Sequence, residues 1–313
     1  MPVVEPPTDT TRQSSAEWSF RSPYRFTGSA LVVQDLRELP GRVDTLTLTS
    51  PSEVAAAIRA GAIGGGPVLA QVGAYAMVAA LVAAADRPAV GRHQQMRAAA
   101  GTLRGARREV RALGYGVDRI EARYDELADK DTDPTDLAAA LQAEADLLTT
   151  EATAGHLAIG RLGVEALAPT DGETLNLLVH GDMGPLACGM IGMLTAALDE
   201  LAAAARSVHV WLTEAAPTGE GGRIAASQLR QLDVGHTVVP DSAVAWLLER
   251  QQIDALLLRG DRIAANGDTG VLLGGLGAAR LVAAAGVPVH VLAPRVSIDA
   301  AAATGDQIRA DSA

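Results

Sequence analysis

Lysine is almost missing from this chain: Lys130 stands alone among 26 basic residues, and the rest are arginine. Cysteine is as scarce. With Cys188 as the single thiol, no intramolecular disulfide can form, and a reducing, cytoplasmic setting is the expectation. Aromatic residues make up only 3%, so the cores must pack through Ala, Leu and Val. No apolar run is long enough for a membrane helix, because charges and glycines interrupt the Ala-rich stretches. Residues 1–20 lack the basic start and apolar centre of a signal peptide. Net positive charge is missing too. A formal charge of −11 and a pI near 5.0 argue against a nucleic-acid groove and against a membrane-surface patch.

What is present is a large apolar fraction, 48% of 313 residues, enough for two domains. Residues 1–28 read as a flexible tail, rich in Pro, Thr, Ser and Gln at its start. Ala30-Leu31-Val32-Val33 and Thr45-Leu46-Thr47-Leu48 flank a turn segment and predict a small β-meander. Ser50-Pro51-Ser52-Glu53 is a capping box with proline at the first helical position. Gly64-Gly65-Gly66-Pro67 then opens an Ala- and Gly-rich helix. Such a loop can offer backbone N–H groups to a phosphate, or it can simply be a tight turn with close packing. Arg97, Arg104, Arg107, Arg108 and Arg111 read as a solvated or ion-paired helix face. Asp133 or Thr135 caps a long helical pattern over 134–168, expected to break near Gly155. Pro169-Thr170-Asp171-Gly172 is a breaker, and the domain boundary falls there, giving units 29–170 and 171–313.

The second unit alternates strands (174–180, 208–213, 237–239, 255–259, 289–293) with helices (185–206, 223–232, 242–251, 272–285). The fold class that follows is α/β: a small β-meander with a helical domain, then a Rossmann-like, doubly wound parallel sheet. No Gly-x-Gly-x-x-Gly follows its first strand, and Gly274-Gly275-Leu276-Gly277 falls within a predicted helix, so no dinucleotide is expected. Neither a cofactor nor a metal is expected. Strand ends carry the polar groups: His180-Gly181-Asp182, Thr213-Glu214, Asp241 (a plain helix cap) and Asp261. Parallel strands bring them to one rim, where open α/β sheets bind ligands. The helix from Pro185 points its N-terminus there, which suits an anion. Asp261, at the end of the apolar run Ala255-Leu256-Leu257-Leu258, has its backbone best fixed, with Arg262 and Asn266 placed to hold it.

Gly260-Asp261-Arg262-Ile263-Ala264-Ala265-Asn266-Gly267-Asp268 resembles the signature of the methylthioribose-1-phosphate isomerases. That family includes ribose-1,5-bisphosphate isomerases and regulatory subunits of the translation initiation factor two-B complex. Asp35-x-Arg37-x-Leu39-Pro40 is similar to another of its segments, and the resemblance runs from about Ser29 to Asp299. It implies aldose-to-ketose isomerisation of a sugar phosphate, with Asp261 of a Gly-x-Asp-Arg-Ile motif as acid/base. It also implies substrate contacts at Gly65, at Arg87 (from an Arg-Pro segment), at His180, Glu214, Arg223, Arg262, Asn266 and Asp268. Several family groups are replaced. Gly64 stands for an arginine, Gly181 for a functional cysteine, Ala216 for an arginine, Glu220 for a glutamine, and Val271 and Leu272 for an Asn-Lys pair. Asp182 stands for an asparagine, which brings a second carboxylate near Asp261, and two such groups can split into one acid and one base. Cys188, seven positions after Gly181, reads as an inert buried thiol.

Two functions of different class follow. One is a divergent sugar-phosphate isomerase with an altered, less anionic and more apolar substrate. The other is a non-catalytic ligand-sensing or assembly homologue like the initiation-factor branch. A small-molecule ligand, sugar or sugar phosphate, is expected in either case. The resemblance also implies a homodimer formed through the carboxyl-terminal domain, with Ala- and Leu-rich helices such as 186–205 as its surface.

Overall fold

The computed structural model describes residues 23–129, 132–167 and 174–308. The expected tail over 1–22 and the expected boundary at Pro169-Thr170-Asp171-Gly172 lie outside the described residues. Strands β1 (Tyr24–Phe26), β2 (Leu31–Gln34) and β3 (Thr45–Leu48) form an antiparallel meander. The tail reading therefore ends too late: Tyr24 pairs with Val33 and is buried. Its hydroxyl donates to Gln71 Oε1 at 2.7 Å. Ser50 Oγ accepts from the Glu53 N–H at 3.2 Å and Glu53 returns to the Ser50 N–H at 3.2 Å. That reciprocal cap starts α1 (Pro51–Arg59).

Helix α2 (Val68–Val82) has no polar stripe and is buried except at Val82. Such a helix belongs at the centre, and α3 (Ala89–Arg104), α4 (Arg111–Leu127) and α5 (Pro134–Ala166) pack around it. Asp133 caps α5 by accepting from Thr135 N–H at 2.7 Å. The break expected near Gly155 does not occur, and α5 runs for 33 residues. Its first half, through Leu137, Leu141 and Leu148, belongs to the core around α2. Its second half packs on the helices of the next domain, so tertiary contact on both sides overrides the weak glycine.

The second domain is a five-stranded parallel sheet in the order β10-β7-β4-β5-β6. Its strands are β4 (Leu175–His180), β5 (Val208–Thr213), β6 (His236–Val239), β7 (Ala255–Arg259) and β10 (Val289–Leu292). Leu177, Val179 and Leu257 face one apolar layer while Leu178, Leu256 and Leu258 face the other. Both faces are covered, as the unbroken apolar runs require. The long helix expected after β4 is two pieces, α6 (Pro185–Cys188) and α7 (Met193–Ala203). Between them, a Cβ at Gly189 would lie 2.4 Å from Gln71 Oε1, and Gln71 Nε2 donates to the Cys188 carbonyl at 2.8 Å. The α2 side chain thus occupies the path the helix would have taken. A π-turn (Glu220–Ala225) leads into α8 (Ala226–Gln231), a short 3-10 turn into α9 (Val244–Glu249), and α10 spans Gly275–Ala284. Gly274, expected inside a helix, instead precedes α10 with φ +94°.

The signature after β7 is not a plain strand-to-helix loop. It folds as a hairpin, β8 (Arg262–Ala264) against β9 (Thr269–Gly270), and β8 also pairs with β11 (Ile298–Asp299). No helix among the described residues is long and apolar enough to cross a membrane.

Helices α5 and α7 meet at Gly160, where an added Cβ would sit 2.6 Å from Ala196 C and Cβ. In an open helix, Gly→Ala stabilises by about 0.5–1 kcal/mol. Here the new methyl meets backbone, so Gly160→Ala should instead destabilise by about 1–3 kcal/mol, read from the midpoint of denaturant unfolding.

Candidate functional site

The carboxyl ends of β4, β5 and β7 lie side by side, and one side chain joins them. Arg259 ends the apolar β7 strand and is 3% exposed. A buried guanidinium needs counter-charge, and three loops supply it. Nε donates to Asp261 Oδ1 at 2.7 Å and Nη2 reaches Oδ2 at 3.5 Å. Nη1 donates to the Asp182 carbonyl in a short bond and lies 3.5 Å from Glu220 Oε2. Burial alone would lower the Arg259 pKa, but Asp261, Glu220 and Asp182 outweigh it and hold the group above the ordinary arginine value. The acid/base position of the signature is therefore half-buried and tied to a fixed cation. The signature as the sequence resembles it opens on a glycine two residues before this aspartate; here that place is Arg259.

Asp182 does not face Asp261 as a second free carboxylate. It is fully buried, and its Oδ1 accepts from Gly184 N–H and from Gln228 Nε2, both at 2.8 Å. Burial, helped by Glu220, raises its pKa to about 6 against the pull of the Gly184 N–H, Arg259 and Gln228.

Above this floor, between the two domains, opens a cavity of about 500 Å³. It runs over Gly64 and Gly65, with Glu220 and Ile224 opposite, and Arg37, Arg59, Arg107 and Arg223 among its walls. A Cβ on Gly65 would lie 2.0 Å from Arg107 Nη1, so the arginine lies directly across that glycine. A side chain at Gly64 has no room either, because its Cβ would be 2.9 Å from the Leu186 carbonyl. The lost arginine at position 64 is thus answered from the α3–α4 turn. Glu220 Oε2 is buried and accepts no hydrogen bond. Glu109 lines this cavity and also a second one of about 680 Å³, which holds Asp261, Arg262, Asp268 and Val271.

The other expected site residues divide. His180 is spoken for at both ring nitrogens. Nδ1 meets Thr213 Oγ1 at 2.7 Å, and Nε2 meets the Leu273 carbonyl at 2.7 Å, so Nε2 carries the proton. Gly181 has φ +87°, and a Cβ there would meet Leu272 Cδ2 at 3.1 Å. Leu272 therefore crowds the place where a side chain at 181 would begin. Arg223 clamps the first domain, donating to the carbonyls of Leu39 at 2.9 Å and Thr218 at 3.3 Å. Glu214 is exposed. Arg262 does not hold Asp261; its Nε donates to Asp299 Oδ2 at 2.8 Å. Asn266 and Asp268 are exposed and bond each other at 2.9 Å, and Asp268 Oδ2 accepts from Gly305 N–H at 2.8 Å. They stabilise the hairpin turn and do not reach Asp261. Asp241 caps no helix; its carboxylate accepts from the N–H groups of Ala215 and Ala216 at 2.8 and 2.9 Å. Arg87 lies past the far end of α2, whose 15 residues span about 22 Å, and its side chain bonds Gln95. Cys188 is buried and its thiol is pushed up to about 12, chiefly by burial, so it is no nucleophile at neutral pH.

Two residues central to this geometry were not picked out from the sequence, Arg259 and Arg107. Arg259 had a readable signal: a charged residue closing a strand buried on both faces has to meet an opposite charge. Arg107 was hidden in a run of arginines, and what sets it apart is the turn that aims it back at Gly65.

Asp182 gives this floor a pH dependence. Its folded pKa is raised, so its contribution to stability is present below the ordinary carboxylate value and is lost as pH rises through about 6. Asp182→Asn keeps the bonds to Oδ1 and cannot ionise. Relative to the native chain, the variant should gain about 1–3 kcal/mol between pH 4 and 7, measured by denaturant unfolding across that range.

Comparison with known proteins agrees with this architecture. The pattern of the Initiation factor 2 subunit family matches residues 63–312. The methylthioribose-1-phosphate isomerase of Syntrophobacter fumaroxidans is 34% identical over 292 residues, covering 91% of this chain and 80% of that protein. That of Roseiflexus castenholzii is 33% identical over 294 residues, covering 93% and 81%. Among solved structures, 5-methylthioribose 1-phosphate isomerase from Pyrococcus horikoshii superimposes with a TM-score of 0.80 at 22% identity, over 92% of this chain and 79% of that one. The delta subunit of translation initiation factor eIF-2B from A. fulgidus does so with 0.74 at 20% identity, over 91% and 81%. The fold is shared with both an enzyme and a translation-factor subunit, and by sequence the chain belongs to the initiation factor 2 subunit family.

Proposed function

We propose that this family member binds a small, anionic, hydroxylated ligand of the sugar-phosphate kind over Gly65, and that it no longer performs the reaction for which its isomerase relatives are named. The observation that carries this reading is the Arg259–Asp261 ion pair. A base must be aimed at the substrate, and Asp261 is instead turned to a permanent internal cation, with Oδ1 accepting from Arg259 Nε at 2.7 Å. The donors that would hold developing charge are missing at Gly181, Ala216 and Leu272, and each such loss costs on the order of 10²–10³ in rate. Anion binding survives this, because Arg59 and Arg107 line the cavity beside the Gly64–Gly66 loop. Arg37 and Arg107 already pair with Asp35 and Glu109, and Arg223 donates to backbone carbonyls. The arginine lining still runs against the expectation of a less anionic, more apolar ligand. One observation favours a second reading, isomerisation of an altered substrate: Glu220 Oε2 is a buried carboxylate oxygen without a hydrogen bond.

The proposal includes a second copy of the chain. We place its surface elsewhere than the expected run 186–205, most of whose apolar side chains the chain itself buries against α5 and the sheet. Trp246, Leu273, Leu276 and Leu281 of the α9–α10 side are among the large apolar groups left exposed. Light scattering should report a dimer at micromolar concentration, and a monomer would remove this part of the proposal.

For the ligand, inorganic phosphate and ribose 5-phosphate should both bind in titration calorimetry, and Arg107→Ala should weaken both by at least about tenfold. Turnover of methylthioribose 1-phosphate should fall well below the usual enzyme range of roughly 1–10³ per second. Turnover within that range overturns the reading.

A further inference from the structure

The cavity over Gly65 has two poles. Arginines stand at its open side: Arg37 with a side chain 46% exposed, Arg107 with one 25% exposed, and Arg59 and Arg223 both exposed. Among the described residues Arg59 has no ion-pair partner. At the closed side stands Glu220, nine-tenths buried, with its Oε2 unbonded. The cation beside it, Arg259, is already shared. It gives Nε to Asp261 and Nη1 to the Asp182 carbonyl, and it only approaches Glu220, at 3.5 Å. Three carboxyl groups therefore surround one guanidinium, and negative charge is in excess at the floor. Burial chiefly raises the Asp182 pKa, and the nearby Glu220 adds to it.

A buried carboxylate oxygen without a donor is costly, and this one lines a cavity from which a donor can come. Deepening the ligand-binding reading above, on which this rests, we propose that the ligand is dipolar, an amine-bearing sugar phosphate whose phosphate meets Arg59 and Arg107 and whose ammonium group donates to Glu220 Oε2. A neutral hydroxyl can fill the hydrogen bond but not the charge deficit. An ammonium does both, and charge-assisted bonds are the stronger kind. A volume of about 500 Å³ accommodates a molecule of that size. A metal ion is a poorer occupant, since no group of three His, Cys, Asp or Glu among the described residues is arranged to hold one.

Glucosamine 6-phosphate and glucose 6-phosphate differ only in ammonium for hydroxyl at one carbon, and both serve as probes in titration calorimetry at pH 7. The native chain should bind the amine-bearing compound about tenfold more tightly. In Glu220→Gln the ratio of the two affinities should collapse to about one, with a circular dichroism spectrum matching the native chain to show that the variant is folded. If that variant does not fold, Glu220→Asp, which draws the carboxylate back, should lower the ratio in the same direction. Equal affinity of the native chain for the two probes, or a preference that survives both substitutions, overturns the proposal while leaving anion binding at Arg107 intact. Failure of both compounds to bind sinks this inference together with the reading beneath it.

Discussion

A guanidinium with almost no access to water sits where the carboxyl ends of three parallel strands converge, and its need for counter-charge organises what lies around it. Arg259 draws Asp261 inward from β7, the Asp182 carbonyl from β4 and Glu220 from the loop after β5. Breaking such a cluster from one side leaves an uncompensated buried charge, which costs on the order of 3–5 kcal/mol. The replacements that the sequence shows one at a time are therefore linked. A glutamine exchanged for Glu220 and a glycine exchanged for Arg259 make sense as a pair, and neither makes sense alone.

The cavity is a product of both domains. Its glycine- and arginine-lined wall comes from the loop before α2 and from the α3–α4 turn, while Glu220 and Ile224 come from the sheet domain. Two side chains lock the domains together at this place, Arg223 on the Leu39 carbonyl and Gln71 on the Cys188 carbonyl, while Arg107 across Gly65 braces the first domain's wall. Small residues matter here because they let another element's side chain come close. Gly65 admits Arg107 and Gly189 admits Gln71, so the composition that first suggested only tight turns also decides which side chains reach the site.

Much of the fold was legible in the sequence. The five strands of the parallel sheet fall within a residue or so of their expected positions, because short β-branched and apolar runs alternate there with helical patterns. The capping box at Ser50, the Asp133 cap and the meander follow from short-range chemistry in the same way. What was not legible depended on long-range packing. The helix after β4 is cut by Gln71, more than a hundred residues away, and α5 runs through Gly155 because two cores grip it. The site was read less well than the frame. Asp261, Gly65 and Glu220 lie where the motifs put them. Arg262, Asn266 and Asp268 turn instead to Asp299, to each other and to Gly305, because the motif folds as a hairpin. Arg87 was matched by its neighbouring proline, and a local pattern cannot tell which end of a helix it occupies.

Helix α5 belongs to both hydrophobic cores. Leu137, Leu141 and Leu148 sit in the first, while Gly160 seats α7 of the second. At 1.5 Å per residue its 33 residues reach about 50 Å. A helix of this kind cannot melt at one end without withdrawing apolar surface from whichever core it serves there, and its hydrogen-bond ladder passes the disturbance to the other. The two domains are separate as architecture but are one unit in cooperativity. Neither is a module that recombination could lift out intact, and a ligand seated between them stabilises a single folding transition.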